Sequence, residues 1–275
     1  MPTTKKGSWG LFGGTLILAV LYFFPIYFSA ISAIKTNGEI MRDPIALPSS
    51  LYLDNFIYLW QKTKFAGALY NSAFLTIVSE LLIVVIIPMA AYALERRKSK
   101  LADMVYLYFI AGMMIPFQAY MIPLFKELKM LGMFGEFSGP IIIYVSGSTA
   151  FGTLLVTSFI KGVPYEIEES ASIDGCNSFM IYWRIVFPLL KPCIASLVIL
   201  NGLGIWNDFL MPMLVLPSGK AKTINVEIYS FVDQFASRWD IVFAGVVCGI
   251  IPVLLVFIFL QKYFIKGITA GAAKG

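Results

Sequence analysis

The chain has 275 residues, 59% of them hydrophobic and 13% charged, with a mean hydropathy of +0.80 and a formal net charge of +5. A soluble domain carries roughly 25% charged residues, so this chain cannot cover a water-facing surface and lipid is its expected solvent. No basic stretch is long enough to track phosphates, which excludes nucleic acid as a partner. The absence of histidine and of any C-x-x-C pair among Cys176, Cys193 and Cys248 leaves no metal site, disulfide framework or histidine base to propose.

The first apolar block, about 11–34, follows Lys5 and Lys6. It is longer than a signal-peptide core of roughly 7–15 residues and carries Tyr22, Pro25 and Tyr27, so it reads as a retained helix. Residues 35–65 are mixed and polar, an external loop. The second span covers about 66–94, interrupted by Glu80, and ends in the cluster Glu95-Arg96-Arg97-Lys98-Ser99-Lys100. A basic cluster beside a span end marks the cytoplasm. Further spans are expected at about 104–125, 137–160, 193–216 and 241–261, most of them exceeding the roughly 20 residues needed to cross. Residues 126–136 and 217–240 are then external, and 161–192 and the tail 262–275 are cytoplasmic. The expectation is a single all-α transmembrane domain over 1–275, with about six helices and both termini in the cytoplasm.

Residues 161–192 are too structured for a simple connection. They read as two short helices joined by a turn. Pro164 suits a first helical turn, and Glu166, Glu168 and Glu169 complement its dipole. Asp174-Gly175 is a stop with glycine in a left-handed cap. Ser178 is placed to cap a second helix through Tyr182 and Trp183, and Pro188 to redirect the chain into span five. Such a unit either docks in a groove of another protein or lies on lipid headgroups. The residues alone leave both open.

The spacing Glu169-Ser170-Ala171, three residues, Gly175, nine residues, Ile185-x-Phe187-Pro188 resembles the EAA motif of ABC importer permeases, E-A-A, then G, then I-x-L-P. Ser170 stands for alanine and Phe187 for leucine, one small and one apolar. The resemblance implies a cytoplasmic coupling helix, with Glu169, Ser170, Ala171, Asp174 and Gly175 meeting an ATPase subunit. Asn71-Ser72 and Trp206-Asn207-Asp208-Phe209 are similar to sugar-importer permeases. The end, Lys266-Gly267-Ile268-Thr269-Ala270-Gly271-Ala272-Ala273-Lys274-Gly275, resembles the tail of the second membrane subunit of maltose-type systems. That likeness puts Lys266, Gly267, Thr269 and Gly271 against the ATPase. It implies a carbohydrate substrate, a second homologous permease, two ATPase subunits carrying ATP and magnesium, and an extracytoplasmic binding protein.

The chain has no G-x-x-x-x-G-K-[ST] loop, so any ATP chemistry belongs to another chain and no enzymatic activity is expected of this one. Glu80 and Asp208 lie within expected spans, where a carboxylate is costly and faces a cavity or a partner. Asn71, Asn207 and Asp208 are candidates for a sugar path, although Asp208 equally suits a lock between helices. The competing reading is an ion-coupled secondary transporter using Glu80 and Asp208.

Overall fold

The computed structural model of the chain describes the backbone of residues 5–216, 221–232 and 237–272, and side chains at 11–216, 221–232, 237–259 and 261. Every element among the described residues is helical. Leu11–Ala33, Phe65–Arg96, Ser138–Ile160 and Trp239–Phe259 are each long and apolar enough to cross a bilayer, and two sharply bent pairs bring the number of possible spans to six. The chain divides into two compact units.

The first unit holds residues up to Leu69 with Ile224–Pro252. Helix α1 (Lys5–Ala33) exposes Leu11, Ile17, Leu21 and Tyr22 around its circumference, the reverse of a helix in water. Asn55, buried in α3 (Asp54–Lys62), donates to the carbonyls of Ala33 and Lys35 at 2.9 and 2.8 Å and so satisfies acceptors that the end of α1 leaves open. Buried Lys35 donates Nζ to the carbonyls of Asp43 and Pro44. Helix α2 (Asn37–Arg42) opens on a reciprocal box between Thr36 and Glu39. Hydrogen bonds from Ser49, then from Thr36, hold the Glu39 carboxyl down at about 2. The contact is therefore complete above the ordinary value of 4.5 and is lost only as pH falls through about 2. Asn37 joins this loop to the start of the last helix, accepting from Trp239 N–H and donating to Ser237 O.

The second unit holds Tyr70–Thr223 and the residues from Val253 onward. Its core is formed by α4 (Phe65–Arg96), α7 (Ser138–Ile160) and a helix over Lys191–Asn207, through Ile83, Ile87, Val156, Ile160, Cys193 and Leu197. Gly152 lets α7 approach closely: a Cβ there would sit 2.9 Å from Ile87 Cγ2 and 3.2 Å from Leu197 Cδ1. Small residues at such contacts are the usual route to tight packing between membrane helices.

Three expected elements differ in form. The third span is not one helix but α5 (Lys100–Gly112) and α6 (Phe117–Met130), bent by 105°. Pro116 supplies no N–H and disfavours helical backbone at Ile115, while residues 113–115 tighten into i→i+3 bonds before it. The continuous apolar run conceals this break. The fifth span stops at Asn207 and resumes in a short helix over Leu210–Val215, with Asp208 extended between them. The last helix runs without interruption from Trp239 to Ala272, so the expected span and most of the tail are one helix. Lys266, Gly267, Thr269 and Gly271 lie on its backbone, but their side chains, and all of Lys274 and Gly275, are outside the described residues.

Candidate functional site

Residues 161–192 form two helices, as their caps suggest, with changes in detail. Helix α8 (Tyr165–Ile173) has Pro164 at its N-cap rather than inside its first turn. It ends at Gly175, whose φ is +87°. Cys176 N–H returns to Ala171 O and Gly175 N–H to Ser172 O, both at 3.0 Å, the paired bonds of a Schellman stop. Helix α9 (Ser178–Leu189) is capped by Asn177, which accepts from Met180 N–H at 2.9 Å, and not by Ser178. Its middle, Tyr182–Val186, widens to π geometry just ahead of Pro188, whose ring crowds the carbonyl four residues back. The turn into α10 (Lys191–Asn207) is a 74° bend that falls at Leu190, beyond Pro188, with Pro192 in the first turn of the new helix.

The two faces of α8 differ sharply. Glu168 and Ala171, three residues apart and so on one face, are both buried. Ala171 joins the core beside Ile160, Ile181 and Val186. Glu168 Oε1 accepts from Arg96 Nε and Nη2 at 2.8 and 2.7 Å, and Oε2 accepts from Tyr92 O–H at 2.7 Å. Arg96 Nη2 also donates to Val163 O at 3.0 Å and Ile160 O at 3.4 Å, and its guanidinium lies 5.6 Å from the Tyr165 ring centre. Glu168 thus belongs to an ion pair rather than to the helix dipole. Glu169, Ser170, Asp174 and Gly175 stay exposed on the outer side. Ile173 is 87% and Phe179 70% exposed beside them. Four of the five residues expected to meet an ATPase therefore share the open face, and Ala171 lies on the inner one.

A second feature of the same unit is a cavity of about 310 Å³ lined by Phe117, Tyr120, Tyr144, Ser148, Asn201 and Asp208, with apolar neighbours. Asp208 sits between α10 and α11 (Leu210–Val215). Its Oδ1 accepts from Leu210 and Met211 N–H at 2.9 and 3.4 Å, and its Oδ2 from Tyr144 O–H at 2.7 Å. Ser148 donates to Asn201 Oδ1 at 3.0 Å. Asp208 is thus both a lock between helices and part of a cavity wall. Asn71 and Asn207 do not line it: Asn71 donates its amide to Lys222 O at 2.9 Å, and Asn207 is exposed. Tyr144, Ser148 and Asn201 escaped the sequence reading. Their signal is polar residues inside otherwise apolar helices, Tyr144 and Ser148 four residues apart on α7 and Asn201 on α10.

Glu80 is buried against Gly202 and lines no part of this cavity, so the two carboxylates of the ion-coupled reading do not share it. Among the described residues neither Glu80 oxygen has a hydrogen-bond partner, and no group of three His, Cys, Asp or Glu could hold a metal.

Residues 82–270 match the family model described as "Binding-protein-dependent transport system inner membrane component". The chain is 35% identical over 264 residues to a probable starch degradation products transport system permease protein from Thermoanaerobacterium thermosulfurigenes, covering 94% of each. It is 33% identical to an arabinooligosaccharides transport system permease protein from Halalkalibacterium halodurans, covering 98% of this chain and 97% of that one. In fold it is similar, with a TM-score of 0.84 and 23% identity, to a chain of a bacterial ABC transporter involved in the import of alginate, covering 96% and 99%. With its apolar helices and broken spans, this chain belongs to the binding-protein-dependent transport system inner membrane component family and is a multi-pass membrane permease subunit rather than an enzyme.

Proposed function

We propose that this chain forms part of the pathway by which an ABC importer carries a carbohydrate across the cytoplasmic membrane, driven by ATPase subunits docked on the outer face of α8 and the Gly175 turn. The observation that carries this reading is the division of α8. Its inner face is fixed to the membrane helices, and its outer face exposes Glu169, Ser170, Asp174 and Gly175 in the spacing of the permease motif. An exposed apolar pair, Ile173 and Phe179, beside these residues suits a groove on a second protein. Both termini face the cytoplasm, and the end of the last helix, with Lys266, Gly267, Thr269 and Gly271, reaches the ATPase. ATP and magnesium are held there. A second homologous permease, two ATPase subunits and an extracytoplasmic binding protein complete the assembly. The named transport roles of the 35% and 33% identical relatives support a sugar as cargo.

The cavity beside Asp208 is the proposed point of contact with that sugar. It combines the Phe117 and Tyr120 rings, 5.4 Å apart, with an amide, hydroxyls and a carboxylate, the mixture that orients a polar ligand in an apolar site. Asn201→Ala removes one such partner, a change of about 0.5–1.5 kcal/mol, so half-saturation for the transported sugar is expected to rise about two- to ten-fold. Asn71→Ala, which lies outside the cavity wall, is expected to leave it unchanged. Uptake of a panel of labelled oligosaccharides by proteoliposomes of the whole importer, supplied with its binding protein, measures both. Equal effects of the two variants would remove the cavity from the path.

Glu80 is the feature that favours an ion-coupled alternative. Under the proposed function, Glu80→Gln retains ATP-dependent uptake, and a protonophore leaves uptake intact when ATP is clamped. Loss of uptake in both tests would favour the alternative.

A further inference from the structure

Helix α8 is flanked by two glycines, Gly162 before Pro164 and Gly175 after Asp174. Each end is closed by a hydrogen-bonded turn, Gly162 N–H to Phe159 O and Val163 N–H to Ile160 O before it, Gly175 N–H to Ser172 O and Cys176 N–H to Ala171 O after it, and glycine leaves each turn a backbone point about which it can pivot. What fixes its orientation is side-chain chemistry on the inner face: Ala171 in the core and Glu168 on Arg96 and Tyr92. Arg96 stands at the last position of α4 and holds three elements at once. It pairs with Glu168 in α8, donates to the Val163 carbonyl in the connecting turn, and donates to the Ile160 carbonyl at the end of α7. A guanidinium suits this role because its donors are fixed in one plane and point in several directions, whereas a lysine ammonium is a single point. Both partners are largely buried, with Arg96 17% and Glu168 5% exposed, so solvent screening is slight. The neighbouring Lys161–Glu95 pair, at 3.9 Å with Lys161 60% exposed, has none of these properties.

We infer that Arg96 is a positioning residue that makes α8 and the end of α4 one mechanical body, so that displacement of α8 by a docked subunit is delivered to the second span through the Arg96–Glu168–Tyr92 cluster. This rests on the proposal that the ATPase docks on the outer face of α8. Tyr92 extends the cluster toward α9, its ring 5.1 Å from that of Tyr182. Without Arg96, α8 turns about its glycines, and movement of the ATPase is spent in the loop. The outer face is untouched, so the ATPase still binds. Its stimulation by the sugar-loaded binding protein is lost, because that signal returns along the same path.

The test uses the purified whole importer with nitroxides on Arg97→Cys and Ser172→Cys, in a chain whose native cysteines are replaced. Electron paramagnetic resonance reads the distance between the end of α4 and α8, before and after trapping with Mg-ATP and vanadate. With Arg96 present the distance distribution is expected to stay the same on trapping. In Arg96→Ala it is expected to shift or broaden on trapping, and stimulation of hydrolysis to fall at least ten-fold. Lys161→Ala is expected to behave like the parent chain. A parent distance that changes on trapping, or an Arg96→Ala distance that does not, overturns the inference. Where Arg96→Ala fails to assemble, Arg96→Lys and Tyr92→Phe are read in the same way, and parental behaviour in both overturns it. Failure of the ATPase to co-purify with the parent chain would instead remove the docking reading.

Discussion

Gly175→Arg is expected to lower uptake at least a hundred-fold while the chain remains folded in the membrane. At φ +87° an L side chain strains the backbone, by about 1–2 kcal/mol on the left-handed scale. The Schellman bonds that stop α8 depend on that backbone. Within the chain a Cβ at Gly175 meets nothing closer than 4 Å, so the substitution does not clash with the permease itself. The added side chain projects from the exposed turn where the ATPase is proposed to dock. Gly175→Asn separates the two effects, since asparagine tolerates the left-handed region better than most residues and is small. It should retain most uptake. Membrane abundance, ATPase co-purification and uptake are the three measurements. Normal uptake in Gly175→Arg would remove this turn from the docking surface.

Gly152→Leu is expected to have the largest effect on stability. Its Cβ alone would stand 2.9 Å from Ile87 and 3.2 Å from Leu197, two fully buried side chains. Forcing extra methylenes into a well-packed core costs about 1–3 kcal/mol, occasionally more. Three helices meet here, so none can yield alone. The detergent-solubilised importer should show a lower midpoint of thermal unfolding, and little of the variant chain should reach the membrane. Gly147→Ala, on the same helix with nothing within 4 Å of its Cβ, is the control and should be neutral in yield. Equal yields for the two would mean that α7 does not pack against α4 and α10 as described.

What the sequence made legible was local. Apolar length marked the helices, and Asp174-Gly175 marked the end of α8 because the stop is written in adjacent residues. Asn177 and Ser178 are both good caps, and only the backbone decided for Asn177. The Pro116 break was hidden by the continuous apolar run around it, although proline itself carries the signal. Three glutamates near one helix start looked equivalent as dipole partners. Glu168 differs because helical spacing turns it inward beside Ala171 and a distant Arg96 meets it, which no window around the motif contains. The same limit applies to Asp208. Its extended backbone and its bonds to Leu210, Met211 and Tyr144 combine a local cap with a long-range contact, so span hydropathy alone placed it inside a continuous helix.

The central claim, that α8 presents its outer face to an ATPase, is tested most directly by cross-linking. Ser170→Cys, in a chain whose native cysteines are replaced, is paired with single cysteines around the groove of the co-purified ATPase and treated with a short bis-maleimide. The predicted result is a covalent permease–ATPase adduct, formed at Ser170→Cys and lost when the cysteine is moved to buried Ala171. A complex in which the ATPase is present but Ser170→Cys is never captured, and is freely labelled by a soluble maleimide, would contradict it.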